Sequence, residues 1–209
     1  MVNYQIVPNQ YVLPMPGGAY YAGSSPMVEP ARELLFRLFQ EDHTPRLTAE
    51  QVQAWGEEEK VTLELIFRMQ SLAWLQGIPL SREAPGGSLE NALPNLLAKL
   101  SGTGKALLSD DQGFYLAAHG YTHESAEELS ALSADLSALH QRHRGLLQGN
   151  LKLRSGGWGL VGAAGTSQIG FWPLYMKKQR FMLVISGRPH FNQTAFTELI
   201  WLLARRYSH

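Results

Sequence analysis

Apolar residues recur at helical spacing in several stretches of the chain and alternate at strand spacing in others. Leu34, Leu35, Leu38 and Phe39 follow Glu29-Pro30, which predicts a first amphipathic helix opened by a proline. Thr48-Ala49-Glu50-Gln51 predicts a second, with Thr48 as cap and Gln51 at the capping-box position, and Val52 and Trp55 turned inward. A third runs from about Glu58 to Gln76, with Leu63, Ile66, Phe67, Leu72 and Leu75 as its core side and Gly77 as its stop. Ahead of these, Pro16-Gly17-Gly18 between Tyr11–Met15 and Ala19–Tyr21 predicts a tight turn. Residues 1–28 then read as an extended arm or short hairpin.

Beyond the breaker-rich stretch Pro79–Ser88 the pattern changes. Ser88 caps a helix carrying Leu89, Leu93, Leu96, Leu97 and Leu100. Strands at Lys105–Ser109 and Phe114–Ala118 flank an Asp110-Asp111-Gln112-Gly113 turn. A long helix, Glu124–Leu147, puts Leu129, Leu132, Leu136, Leu139 and Leu146 on one side. Three strands follow: about Asn150 to Ser155 or on to Val161, then Gln168–Tyr175 and Arg180–Ser186. An amphipathic helix, Phe191–Arg206, closes the chain. The division is 1–28, 29–80 and 86–209, and charge shifts across it. Residues 1–85 carry 6 basic and 10 acidic side chains, and residues 86–209 carry 12 and 8.

The three helices of 29–80 resemble the core of a winged-helix domain, carried by Leu47–Val52 and by Leu72-Ala73-Trp74-Leu75-Gln76-Gly77-Ile78. A DNA reader of that kind would present the start of its third helix to the groove. Here that start is Glu57-Glu58-Glu59, which repels phosphates, so nucleic acid is disfavoured and a packing or protein-binding role is expected. The acidic run also suits a helix N-terminus.

The second half resembles the roadblock / dynein light chain family over about residues 88–207. The resemblance rests on Ala106–Gly113, Leu116–Gly120, Ala126–Leu132, Gly170-Phe171-Trp172-Pro173-Leu174 and Arg180–Ile185. It implies an α+β fold whose five-stranded antiparallel sheet carries one helix on one face and two on the other. It also implies a homodimer that pairs middle strands and long helices, and regulation or binding of Ras-like small GTPases, or scaffolding. Leu151, Leu153 and Leu160 are then candidates for an edge that pairs with a second copy, with Leu132, Leu136 and Leu139 as helix packing. The N-terminal domain and the glycine-rich Gly156-Gly157-Trp158-Gly159 depart from the simplest members.

Composition excludes more than it identifies. The 209 residues balance 18 Lys and Arg against 18 Asp and Glu, so no global field draws the chain to nucleic acid or anionic lipid. There is no cysteine, which removes disulfides, thiolate metal sites and a cysteine nucleophile. No signal sequence or membrane-length apolar run is read, so a cytoplasmic protein away from membranes is expected. Gly102-Thr103-Gly104-Lys105 lacks both the preceding glycine of a phosphate loop, since that position is Lys99, and the following Ser or Thr, since that position is Ala106. Gly157-Trp158-Gly159-Leu160-Val161-Gly162 spells a dinucleotide motif, but strand-like residues follow where a helix is needed, so its glycines predict a turn or bulge.

His119 with His123, and His140 with His143, have metal-ligand spacing but no third ligand in view. Neither a catalytic signature nor a cofactor motif is found, so an enzyme is not expected. Lys177, Lys178 and Arg180 form a basic cluster at the last hairpin, a candidate docking site for Glu57, Glu58 and Glu59. The expected function is regulatory or scaffolding, through protein contacts, with a small GTPase as first partner class. A DNA-associated transcription regulator and a small-molecule sensor are the alternatives.

Overall fold

The computed structural model describes residues 4–56 and 58–208. Its main sheet is built around Phe181-Met182-Leu183-Val184-Ile185, five consecutive residues buried to 1% exposure or less. A strand apolar on both faces must be covered on both. Labelled in chain order, β1 is Tyr11–Pro14, β2 Leu75–Ile78, β3 Ala106–Asp110, β4 Tyr115–His119, β5 Trp158–Val161, β6 Ser167–Met176 and β7 Gln179–Ser186. The five-stranded sheet has the order β4-β3-β7-β6-β5, antiparallel throughout, with β7 at its centre.

The helices are α1 Pro16–Gly23, α2 Pro30–Gln40, α3 Ala49–Trp55, α4 Glu59–Ser71, α5 Leu89–Lys99, α6 His123–Arg142 and α7 Thr194–Tyr207. Side-chain alternation sends Leu107, Phe171, Met182 and Val184 toward α6. It sends Leu108, Leu174, Phe181, Leu183 and Ile185 into the larger core with α5 and α7. The fold is thus α+β, one helix on one face of the sheet and two on the other, as the roadblock resemblance implies.

That larger core continues into the N-terminal segment. Leu35, Leu38 and Phe39 of α2 are buried in the same cluster as Phe196, Ile200 and Leu203 of α7. The Phe39 and Trp201 rings meet edge to face at 6.5 Å. Trp201 Nε1 donates to the Glu41 carbonyl at 2.9 Å, and Gln40 Nε2 to the Ser208 carbonyl at 2.6 Å. The three helices of the winged-helix reading occur in the expected order as α2, α3 and α4, and Thr48 caps α3 by accepting from Gln51 N at 3.2 Å.

Four expectations are corrected. Gly17 and Gly18 do not turn a hairpin: they lie in α1, and Tyr11–Pro14 pairs instead with Leu75–Ile78. Gly18 is needed for space, since a Cβ there would lie 2.4 Å from the Trp74 carbonyl oxygen. The third helix stops at Ser71, because Leu75 must be extended to pair with Pro14; Ala73 takes the left-handed position (φ 54°) and Gly77 is in β2. Phe67 and Leu72, expected in the core, are 51% and 58% exposed. The long helix ends at Arg142, and a π-helical turn, Gly145–Asn150, follows.

Candidate protein-interaction surface

Helix α6 shows how the surface arises. Thr122 caps it by accepting from Ser125 N at 3.3 Å. Its buried side is Ala126, Ser130, Ser133 and Ser137, not leucine. These small side chains let the helix lie close on the sheet, and their hydroxyls are satisfied there. Ser130 Oγ donates to the Ala126 carbonyl at 2.7 Å, Ser133 Oγ to the Ser130 carbonyl at 2.8 Å, and Ser133 and Ser109 hydroxyls meet at 2.9 Å. At 3.6 residues per turn Leu129 and Leu136 fall about a quarter-turn round the helix from this side, and Leu132 and Leu139 more than a third of a turn. Leu129 and Leu136 therefore reach the sheet only in part, Leu139 is half-buried, and Leu132 is 45% exposed.

The two sheet edges differ. β4 has α5 packed along it. Among the described residues β5 pairs only with β6 and leaves its other side open, with Leu160 and Val161 63% and 68% exposed. Its register slips between Leu160 and Val161, so the glycine-rich segment holds a bulge and leads into β6, not a helix. Trp158 ties β5 to α6: its Nε1 donates to His140 Nδ1 at 3.2 Å. Burial, with Arg144 nearby, pushes the His140 pKa below the ordinary histidine value.

The candidate residues are distributed unequally. Leu132, Leu136 and Leu139 lie on α6 and Leu160 on β5. Leu151 and Leu153, expected in the edge strand, lie before it: their amides donate to the Leu146 and Leu147 carbonyls of the π-helical turn at 2.9 Å each, and the strand starts at Trp158. Both are exposed nonetheless, at 56% and 50%. Val161, outside the expected interaction residues, is more exposed than Leu132. Strand-end position and absence of a following helix were its signal.

Among the charged candidates, Glu57 lies outside the described residues. Glu58 and Glu59 are exposed at the start of α4, and Lys177 and Lys178 are exposed at the turn from β6 to β7. The ion pairs among the described residues join Arg32 to Glu29, Arg68 to Glu64, His123 to Glu127 and Arg205 to Asp42, and none of these bridges the two charged groups. Arg180 parts company with the lysines. It lines a small cavity beside Ser137, His140 and Gln141 on the α6 side, with its Nε buried and unpartnered among the described residues.

The histidine pairs are also separated in function. His119 Nδ1 is 2.7 Å from the Gly104 carbonyl, and His123 Nδ1 is 2.7 Å from the Tyr115 hydroxyl. Among the described residues no group of three or more His, Asp or Glu side chains is placed to hold a metal ion. No described helix is long and apolar enough to cross a membrane. The Asp110 carboxylate is spent on its turn, accepting from Gln112 N at 3.0 Å and Phe114 N at 2.9 Å.

The five-stranded antiparallel sheet in the order β4-β3-β7-β6-β5, with helices on both faces, is the architecture that the roadblock resemblance implies for the second half. Solved structures similar to the chain include the following two. A Roadblock/LC7 domain from Streptomyces avermitilis shares 16% identity over 57% of this chain and 93% of that one, with a TM-score of 0.37. The gliding protein MglB from Thermus thermophilus shares 17% identity over 60% of this chain and 91% of that one, with a TM-score of 0.32. No family model matches the sequence, and no curated protein matches it.

Proposed function

We propose that this chain is a non-enzymatic regulatory or scaffolding protein that acts through protein contacts. It self-associates through α6 and β5 and, as a dimer, engages a small Ras-like GTPase. The observation that supports this reading is the inversion of α6. Serines face the sheet, so the leucine flank is covered only in part, and Leu132 stands exposed on the helix that Trp158 ties to an open strand edge bearing Leu160 and Val161. An apolar helix flank next to unpaired strand groups is suited to a second copy of itself, which satisfies both at once.

The test is the mass in solution of the full chain at micromolar concentration by light scattering. Twice 23.3 kDa is expected for the wild type, and a single chain for Leu132→Glu with Leu160→Glu. A monomeric wild type would refute the dimer. The GTPase reading is tested separately, by binding of purified small GTPases from the native host loaded with GTP or GDP. Binding that depends on the nucleotide and is lost in the double variant is expected. Failure of every GTPase to bind would return the protein to plain scaffolding.

A further inference from the structure

A groove of about 510 Å³ lies where the segment before α2 meets the turn between β6 and β7. Met27, Val28 and Phe36 supply apolar lining, and Arg37, Lys177 and Lys178 supply positive charge. Glu33 is the carboxylate among the lining residues, and the remaining cation, Arg32, is already paired with Glu29 at 3.3 Å. An excess of cations is therefore left over an apolar floor.

The apolar wall is held in place. Arg32 Nε donates to the Met27 carbonyl at 2.8 Å, and a second guanidinium nitrogen donates to the Ala22 carbonyl at 3.1 Å. Met27 and Val28 are nevertheless 62% and 77% exposed. Met27 and Val28 thus offer adjoining apolar surface at the groove. Arg37 is likewise fixed, donating to the Ala54 and Trp55 carbonyls at 3.1 Å each.

The lysines carry the second line of argument. Lys177 has φ 54°, a left-handed conformation that glycine or asparagine adopts more readily. A lysine at such a position holds its charge at a conformational cost. Neither lysine belongs to an ion pair among the described residues. The acidic start of α4, expected to meet them, forms no such pair with them, so the basic tip faces outward.

We propose that this groove docks an acidic segment of a partner protein carrying a bulky apolar side chain. The apolar side chain enters against Met27, Val28 and Phe36, and flanking carboxylates meet Lys177 and Lys178. Charge complementarity selects the acidic partner. The concave shape selects a peptide over a flat anionic bilayer, which would touch only the rim. The surface shares no residue with the α6–β5 face, so it stands or falls independently of self-association.

The experiment uses the full chain and fluorescence anisotropy. The probe is a labelled pool of short glutamate- and aspartate-rich peptides, each carrying leucine, isoleucine, phenylalanine or tryptophan at varied positions. A matched pool has glutamine in place of the acids, and vesicles of phosphatidylserine and phosphatidylcholine are titrated in parallel. Saturable binding of the acidic pool, weakened by salt, is expected. Lys177→Glu with Lys178→Glu should raise the dissociation constant about tenfold. Val28→Ser should also weaken binding. All three residues are exposed, so unchanged melting temperatures verify that the variants are folded. Equal binding by the charge-reversed variant, equal binding of the glutamine pool, absence of binding, or preference for the vesicles would each overturn the proposal.

Discussion

Replacing Trp201 with alanine tests whether the N-terminal helices and the sheet domain are one structure or two. The indole is 3% exposed, packs on Phe39 of α2 and donates to the Glu41 carbonyl. Deleting a buried tryptophan to alanine costs about 3–5 kcal/mol. The lower end applies here for two reasons. Glu41 is exposed, so water can replace the lost donor, and a cavity of about 210 Å³ already borders Trp201, so water can reach the new void. About 3 kcal/mol corresponds to a melting temperature lower by about 6–12 °C for a chain of this size. Thermal unfolding followed by far-ultraviolet circular dichroism should show one transition, moved down as a whole. Hydrogen exchange should show α2 and β7 losing protection together. If α2 loses protection while β7 keeps its own, or if the melting temperature falls by less than about 2 °C, the shared core does not couple the two halves.

Two further outcomes follow from single residues. Gly18→Ala should destabilise the protein by about 1–3 kcal/mol, because the added methyl meets the Trp74 carbonyl, which belongs to the backbone and cannot rotate away; urea denaturation measures it. His140 has a folded pKa below its unfolded value, so the unfolded chain takes up a proton first as pH falls. Stability linked to His140 is complete above the ordinary histidine pKa of 6.5 and is lost on acidification from there down through the folded value. Urea midpoints at decreasing pH should therefore fall more steeply for the wild type than for His140→Gln between about pH 6.5 and 5. The lowered carboxylates Glu29, Glu50, Glu90 and Glu124 act in a separate window at lower pH, below their ordinary 4.5.

Periodicity located most elements because burial enforces it. The five buried residues of β7, the Asp110–Gly113 turn and the Thr48 cap are local features whose chemistry is complete within a few residues. The failures share a different cause. Gly18 packs against Trp74, and Leu75 is extended because Pro14 lies opposite. Both constraints come from residues far along the chain. On α6 the leucine stripe was legible but the fully buried side was not, because serines that bond to backbone and to one another let the helix lie close on the sheet. The candidate surface was thus readable as a set of leucines, and the serine side that seats the helix was not. Leu151 and Leu153 were misplaced because their amides bond back to the π-helical turn, which has no strong sequence signal.

The bonds from Glu41 to Trp201 and from Gln40 to Ser208 span 160 and 168 residues. On a ribosome, α1 and α2 emerge long before α7 can cover them. At about 5–20 residues per second the delay is about 8–30 s. During that interval Leu35, Leu38 and Phe39 lack the surface that buries them, and the nascent chain presents to the cell's chaperones an apolar face that the finished protein never shows.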